Sequence, residues 1–195
     1  MTPFMDKKSS LALALCVVLA ALVVVFFWSS GNERLRKSDG RPSASEPAAL
    51  SDRETKNVSL FFLREDDGLL VAEPREIAAD ASIVHEAEAV ITELIKGSRG
   101  ELVSPLPPET KLSQLFITKE GTAYVDFSRD LIDNHPSGAA AEISTVYAVV
   151  DSLAYNFKSI KKVFILIDGE ERETLAGHLS LDRPFSPNYS LIAKR

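Results

Sequence analysis

The sequence feature that most constrains the fold is a short apolar run inside residues 161–169, KKVFILIDG. Residues 163–167 are all hydrophobic and mostly β-branched or aromatic, with charged residues on either side. Such a run is typical of a strand covered on both faces, so we expect it to lie centrally in a sheet. Asp168 and Gly169 then predict a tight turn, because glycine tolerates positive φ.

Two amphipathic segments predict the helices that cover this sheet. The longer one, residues 138–157, carries apolar residues at helical spacing and places Glu142 and Asp151 on the solvent side. Its apolar stripe comprises Ile143, Val146, Tyr147, Val150, Ala154 and Phe157. The shorter one, residues 83–96, has the same period and ends at Gly97, a residue that commonly terminates helices.

Four further segments have the composition of strands, and turn residues join them in pairs. Gly68 ends the first turn, and Pro74 indicates an edge position or a bulge in the second strand. The order strand, strand, helix, strand, strand, helix, strand predicts a two-layer α+β domain, with a mixed sheet of about four or five strands and two helices packed on it. The four strands are residues 58–63, 69–77, 111–118 and 123–127.

A charge-free apolar run near the N-terminus predicts one transmembrane helix. It begins at Leu11 and ends at Trp28, and its 18 residues would form a helix of about 27 Å, close to the thickness of a bilayer core. A cleaved signal peptide is the alternative, since residues 29–31 are small enough for a cleavage site, but its apolar region would be shorter. We expect an uncleaved signal anchor.

The charges around this run favour different orientations. Four basic residues follow the run while only Lys7 and Lys8 precede it, and this count favours a cytoplasmic C-terminal domain. A very short N-terminal tail is instead typical of exported anchors, so we expect the domain to be exported. The four basic residues are Arg34, Arg36, Lys37 and Arg41.

Composition divides the chain into five regions. Residues 29–56 are rich in Ser, Pro, Glu, Arg and Ala without an apolar period, which predicts a flexible tether between the membrane and the domain. The regions are a short N-terminal tail at 1–10, the transmembrane anchor at 11–28, the tether at 29–56, the folded domain at 57–186 and a C-terminal tail at 187–195.

Charge and cysteine content exclude several classes of function. From residue 57 onward the chain has 14 Lys and Arg against 22 Asp and Glu, and so acidic a domain is a poor nucleic-acid binder. The only cysteine, Cys16, lies in the predicted membrane segment, which leaves the domain no thiol nucleophile or thiolate metal site. No phosphate-binding glycine motif is present, which argues against nucleotides. We expect no cofactor.

His178 is the strongest candidate for a catalytic or metal-binding residue. Asp168 and Asp182 are near it in sequence, and a histidine with carboxylates can act as a base or metal ligand. No G-x-S-x-G motif and no second histidine at zinc-ligand spacing accompanies it, so we expect a structural role. His85 and His135 have no partners clustered in sequence and are expected in solvent. Asp126, Asp130 and Asp133 do not match an EF-hand loop, and we expect no metal site and no catalytic residues.

Four segments in order resemble the GerMN domain, a family named for a bacterial sporulation and germination protein. They are residues 104–112, SPLPPETKL; 123–128, AYVDFS; 166–169, LIDG; and 174–178, TLAGH. Ala176 stands where the family often has a glycine. The resemblance implies a small extracytoplasmic domain on a membrane or lipid anchor. It also implies structural roles for the motif residues Asp126, Phe127, Asp168, Gly169, Gly177 and His178.

The resemblance and the anchor together predict a non-catalytic domain of the bacterial cytoplasmic membrane that binds an envelope protein or self-associates. The alternative is a cell-wall hydrolase or wall-binding accessory domain that uses His178 and Asp168. If both helices cover one face of the sheet, Phe164 and Leu166, or the alternate residues of that strand, should form an exposed apolar patch on the other. The segment 175–181 and the aromatics Phe185 and Tyr189 could instead cover that face.

Overall fold

The computed structural model describes residues 54–194. The predicted order of strands and helices is confirmed, with one short helix added before the long one. The elements are β1 (Thr55–Leu63), β2 (Leu70–Ala78), α1 (Ile83–Ile95), β3 (Leu112–Ile117), β4 (Thr122–Phe127), α2 (Asp130–Asp133), α3 (Ala139–Asn156), β5 (Lys162–Ile167) and a 3₁₀ turn (Tyr189–Leu191).

The predicted N-terminal tail and transmembrane anchor, and nearly all of the predicted tether, lie outside the described residues. Within residues 54–194, no helix has both the length and the apolar character that a bilayer crossing needs. The tether, predicted to reach residue 56, gives way to β1 at Thr55.

The strands form two sheets, so the predicted single mixed sheet is wrong. Among the strands of the described residues, β1 pairs with β2 alone, antiparallel, and its last residue also bridges to Val103, while β4 lies between an antiparallel β3 and a parallel β5. Side chains of α3 occupy the edge of β1: Asn156 accepts the Ser59 N–H at 2.9 Å and donates to the Ser59 carbonyl at 2.7 Å, and Ser152 accepts the Phe61 N–H at 3.1 Å. Because these backbone groups are already bonded, that edge cannot join the other sheet.

The apolar strand of residues 163–167 is β5, which lies at the side of its sheet and not at the centre as expected. The centre is β4. On the outer edge of β5, Val163 and Phe185 exchange two backbone hydrogen bonds of 2.9 and 2.7 Å. The strand is deeply buried nonetheless, since Val163, Ile165 and Ile167 are at most 1% exposed. The C-terminal segment, residues 170–194, covers this edge. An edge strand can therefore have the unbroken apolar sequence that is typical of a central strand.

The helices pack on the sheets around one core. α1 contacts β1, β2, β3 and α3, and α3 contacts β1 and β5. Glu142 and Asp151, predicted to face solvent, are instead completely buried on α3. The helix is enclosed because the C-terminal segment covers its remaining side, where it bonds to both carboxylates.

Two turns of the three-stranded sheet require positive φ. Asp168 and Gly169, at φ 53° and 74°, form the predicted tight turn, and Ile167 and Glu170 exchange backbone hydrogen bonds across it. Gly121, at φ 88°, is the last residue of the turn that joins β3 to β4, and its carbonyl accepts the Lys161 N–H at 2.7 Å. The hairpin tip therefore contacts the chain that enters β5.

Candidate functional site

The motif residues at the end of β4 and β5 hold backbone groups together. Asp126 Oδ1 accepts the N–H of Gly169 at 2.8 Å, and Asp168 Oδ1 accepts the N–H of Arg129 at 3.1 Å. Phe127 is fully buried, and its carbonyl accepts the Asp168 N–H at 2.9 Å. These contacts join the end of β4, the turn after β5 and the start of α2.

The other motif residues lie against Glu142, a residue that sequence reasoning missed. Glu142 Oε1 accepts the His178 N–H at 3.0 Å and lies 2.7 Å from His178 Nδ1, while Oε2 accepts the Leu179 N–H at 2.9 Å. Gly177, at φ 100°, allows the loop to turn these N–H groups toward the carboxylate. One buried carboxylate thus organises the loop that carries the motif histidine.

Hydrogen bonding keeps Glu142 ionised although it is completely buried. Burial raises the pKa of Glu142, but hydrogen bonds from the Leu179 backbone, the His178 side chain and the Ala176 backbone outweigh it, and the pKa lies below its ordinary value. The sequence did contain a signal for this burial. Glu142 precedes Val146 by four residues, so it shares a helix face with a fully buried side chain.

The motif residues bind loops to one another and do not converge on a shared set of chemical groups. In the described part of the chain, His178 is bonded to Glu142 and not to Asp168 or Asp182. Among residues 54–194 there is also no group of three His, Cys, Asp or Glu side chains placed to hold a metal ion. The hydrolase alternative would need His178 and Asp168 to act from separate hydrogen-bond networks.

A largely apolar groove of about 450 Å³ lies beside the proline-rich segment, residues 104–109. The segment forms one wall, and the loop before α3 and the end of α1 form the others. Its lining includes Leu63, Ile95, Val103, Leu106, Pro136 and Ala141. Concave apolar surfaces with a few polar groups at the edge are typical of binding sites.

His135 lies beside this groove and is half-buried, whereas the sequence predicted a position in solvent. Its Nε2 is 2.8 Å from Thr145 Oγ1, and its Nδ1 is 2.7 Å from the Pro136 carbonyl oxygen. Burial lowers the pKa of His135 below its ordinary value, although the Pro136 carbonyl and the Glu142 carboxylate oppose that effect. His85 is exposed as expected, with 65% of its side chain in solvent.

An aromatic row crosses the outer face of the sheet formed by β3, β4 and β5. Phe116 stacks on Tyr124 with 4.6 Å between ring centroids and 6° between planes, and Tyr124 lies 5.4 Å from Phe164. Phe164 is 5% exposed, so of the two alternatives that the sequence left open the covered one holds at this residue, whereas Phe116 on β3 is 45% exposed. Leu175, Leu181 and Phe185 are buried. The exposed end of the row is therefore on β3.

Asp151 is a buried carboxylate that holds the C-terminal segment. Its Oδ1 accepts the Asn188 N–H at 2.9 Å, but its Oδ2 is buried without a hydrogen-bond partner in the described part of the chain. Burial raises the pKa of Asp151 to about 6, and the Asn188 N–H only partly opposes this effect. Ionisation of this carboxyl group as the pH rises therefore lowers the stability of the folded protein.

Replacing Asp151 with asparagine should remove one component of the pH dependence of stability. The folded-state pKa of Asp151 is about 6 against an ordinary 3.8. The contribution of the neutral carboxyl group to the free energy of unfolding is therefore fully present below pH 3.8 and is lost as the pH rises to about 6. Asp151→Asn should be more stable than the parent by about 2 kcal/mol above pH 6, with the difference shrinking toward pH 4. Denaturant unfolding across pH 4–8 measures it.

An exposed aspartate supplies the control for that experiment. Asp182→Asn should leave the free energy of unfolding unchanged over the same range, because Asp182 is on the surface. A constant difference between Asp151→Asn and the parent at every pH would contradict the assignment of this titration to Asp151.

Comparison with known proteins gives one family. The family model described as "Germane: Sporulation and spore germination" matches residues 59–173. No curated protein matches the sequence. The matched residues include both turns of the three-stranded sheet and the groove, and they end just before the loop that carries His178.

Three solved structures are similar in fold. A candidate lipoprotein from Clostridium perfringens is 27% identical, with a TM-score of 0.50, and the match covers 68% of this chain and 87% of that one. The tandem GerMN domains of the sporulation protein GerM from Bacillus subtilis are 24% identical, with a TM-score of 0.52 and coverage of 68% and 46%. The first GerMN domain of that protein alone is 22% identical, with a TM-score of 0.50 and coverage of 68% and 96%.

Proposed function

Because the chain belongs to the Germane family of sporulation and spore germination domains, we propose that it is a non-catalytic domain that acts by binding an envelope protein. The family description names a cellular process and no catalytic activity. The hydrogen bonds of the motif residues support the proposal, since they go to the domain's own loops. These residues therefore stabilise the fold, and the surface of the domain remains available for binding.

The proposed location is the outer side of the bacterial cytoplasmic membrane, with residues 11–28 as the anchor. The charge-free run of 18 residues and the tether composition support this arrangement. The similarity to a candidate lipoprotein of Clostridium perfringens is consistent with a domain held at a membrane surface. Here the anchor would be a helix and not a lipid, because Cys16 lies within the apolar run.

The observation that carries the binding proposal is the exposed aromatic side chain of Phe116. Large aromatic side chains supply much of the energy of protein interfaces, and they do so best when their orientation is fixed beforehand. Tyr124 fixes the Phe116 ring by stacking on it at 4.6 Å, and Phe164 supports Tyr124 from the next strand. A partner that covers Phe116 would bury an apolar surface that needs little reorganisation.

The test is crosslinking from position 114, which lies beside Phe116 on the same face of β3, in cells that express the full chain. Gln114→Cys, at an exposed position, is placed in a Cys16→Ser background, so that it is the only thiol and Phe116 stays in place. Intact spheroplasts are treated with a membrane-impermeant reagent that joins a thiol-reactive group to a photoreactive group, and then illuminated. We expect labelling followed by a covalent adduct with one other envelope protein. An adduct of twice the chain's mass would identify a second copy as the partner.

A matched control separates the possible failures. Thr92→Cys places a thiol at an exposed position of α1, away from the aromatic row, and should be labelled without forming the adduct. Labelling of neither position would contradict the proposed location. Labelling of both with no adduct, or with the same adducts, would contradict Phe116 as the binding surface.

A further inference from the structure

A second pocket, of about 410 Å³, lies where the hairpin of β1 and β2 meets the end of α3 and the C-terminal segment. Its volume is within the range of small-molecule sites in proteins. Phe61 of β1, Ala72 of β2, Tyr155 of α3 and residues 192–194 contribute to its lining, and Arg64 lies at the hairpin turn. The pocket belongs to the two-stranded sheet and is therefore separate from the surface around Phe116.

The ring of Tyr155 is an exposed aromatic surface with a fixed orientation. The residue is 55% exposed. T-shaped contacts hold its ring against Phe61, at 5.4 Å between centroids, and against Tyr189, at 6.3 Å. A sugar ring presents C–H groups on one face, and these pack on the negatively polarised face of an aromatic ring. Tyr155 can therefore stack on a sugar without first being ordered.

Arg64 supplies fixed hydrogen-bond donors without an excess of positive charge. Its Nε and Nη2 atoms donate to the Asp67 carboxylate at 3.1 and 2.6 Å, which fixes the guanidinium and balances its charge. Within residues 54–194, its Nη1 atom forms no hydrogen bond and keeps its N–H donors for a ligand. Glu65 and Asp66 in the same turn disfavour an anion. A neutral ligand with hydroxyl groups fits these charges best.

The backbone of Ala72 adds one donor and one acceptor that point away from β1. In an antiparallel pair, successive residues direct their N–H and C=O groups alternately toward the partner strand and away from it. The Phe61 N–H is directed away from β2, since it donates to Ser152 on α3 at 3.1 Å. Ala72 is the partner of Phe61 in register, so its own N–H and C=O groups face the outer edge of β2.

This edge has room for a single amide and not for a peptide strand. On one side of Ala72, the Leu70 carbonyl already accepts the Ala193 N–H at 2.8 Å. On the other side, the next residue that faces the edge is Pro74, which has no N–H. Within the described part of the chain, the Ala72 N–H has no acceptor. A compact ligand with one amide group can use both backbone groups of Ala72, whereas an added strand cannot continue in either direction.

We propose that this pocket binds a carbohydrate that carries an acetamido group, such as a chain of N-acetylated hexoses. The sugar ring stacks on Tyr155, its hydroxyl groups accept hydrogen bonds from Arg64, and its acetamido group bonds to the Ala72 backbone. The small side chains of Ala72 and Ala193 leave space for the acetamido methyl group. This inference goes beyond the proposed binding of an envelope protein and does not depend on it.

The experiment is saturation-transfer NMR of the full chain, in a detergent without a sugar head group, with chitotetraose as the probe. Chitotetraose is a β-1,4-linked tetramer of N-acetylglucosamine. We expect saturation transfer to its acetamido methyl protons, and a titration should give a dissociation constant that Tyr155→Ala raises about ten-fold through loss of the stacked ring. Cellotetraose has the same linkage with hydroxyl groups in place of the acetamido groups. It should bind about five-fold more weakly, as loss of one hydrogen bond predicts.

Two further variants make the outcome specific. Tyr155→Phe keeps the ring and should bind like the parent, and Phe116→Ala removes an exposed ring from the other sheet and should also bind like the parent. Equal affinity of the parent and Tyr155→Ala would overturn the proposal, and equal affinity for the two tetrasaccharides would overturn the role of the acetamido group. The absence of saturation transfer from the parent to chitotetraose would also overturn it, and this measurement needs no variant to fold.

Discussion

Replacing Gly121 with alanine is expected to lower the free energy of unfolding by roughly 3–5 kcal/mol. Gly121 has φ 88°, which an L side chain rarely adopts, and an added Cβ would lie closer to the Ser159 carbonyl oxygen than real Cβ atoms come. It would also meet the Lys161 side chain at 3.0 Å. Relief requires the hairpin to move away from the chain entering β5, which breaks the bond between Gly121 and Lys161. Urea unfolding measures the loss.

Gly68→Ala is the matched control for that substitution. Gly68 has φ 69°, but nothing lies within 4 Å of the position that its Cβ would take. We expect it to cost only about 1 kcal/mol, the penalty of the backbone conformation itself. Equal losses in the two variants would show that backbone strain, and not contact with Ser159, determines the effect at Gly121.

Replacing Glu142 with alanine is expected to cost roughly 3–4 kcal/mol. The substitution leaves the N–H groups of His178 and Leu179 without an acceptor inside the protein, and it removes the partner of the His178 ring. Glu142→Gln should cost less, because an amide still offers one acceptor oxygen, but its NH₂ would face a backbone donor. Loss of exchange protection at the Leu179 amide should accompany the loss of stability.

The pH dependence gives an independent check on Glu142. Its folded-state pKa is lowered from the ordinary value of 4.5, so its contribution is fully present above pH 4.5 and is lost as the pH falls through the folded-state pKa. The parent should therefore lose stability relative to Glu142→Gln as the pH falls below 4.5. Glu171→Ala, at an exposed site, should unfold like the parent at all pH values. A constant gap between parent and Glu142→Gln would argue that the carboxylate is not ionised.

The order of secondary structure could be predicted from the sequence because it depends on local periodicity. Residues 83–96 and 138–157 show a helical period, and the Asp168–Gly169 pair specifies its turn by backbone geometry alone. The division into two sheets has no periodic signal. It depends on Asn156 and Ser152, polar residues of a helix that bond to a strand edge almost a hundred positions away.

The candidate sites show the same contrast between local features, which the sequence predicts, and long-range contacts, which it does not. The motif residues Asp126, Asp168 and His178 could be named from the sequence, but their partners could not. Glu142 lies 36 residues before His178, and its burial depends on a C-terminal loop that has no regular structure. His135 looked isolated because its bonds run through Thr145 and Pro105, whose types alone indicate nothing unusual. Long-range polar pairing is the step that one sequence does not specify.

The two bonded edges of β1 have a mechanical consequence. Any pull from the chain that precedes Thr55 enters the domain along this strand. Nine residue pairs connect β1 to β2, and Asn156 and Ser152 hold its other edge. A force along the strand therefore loads these hydrogen bonds in shear. Many of them must break together, and they cannot open one after another. The three-stranded sheet with Phe116 lies outside that loaded hairpin, and its surface can stay unchanged while the chain is under tension.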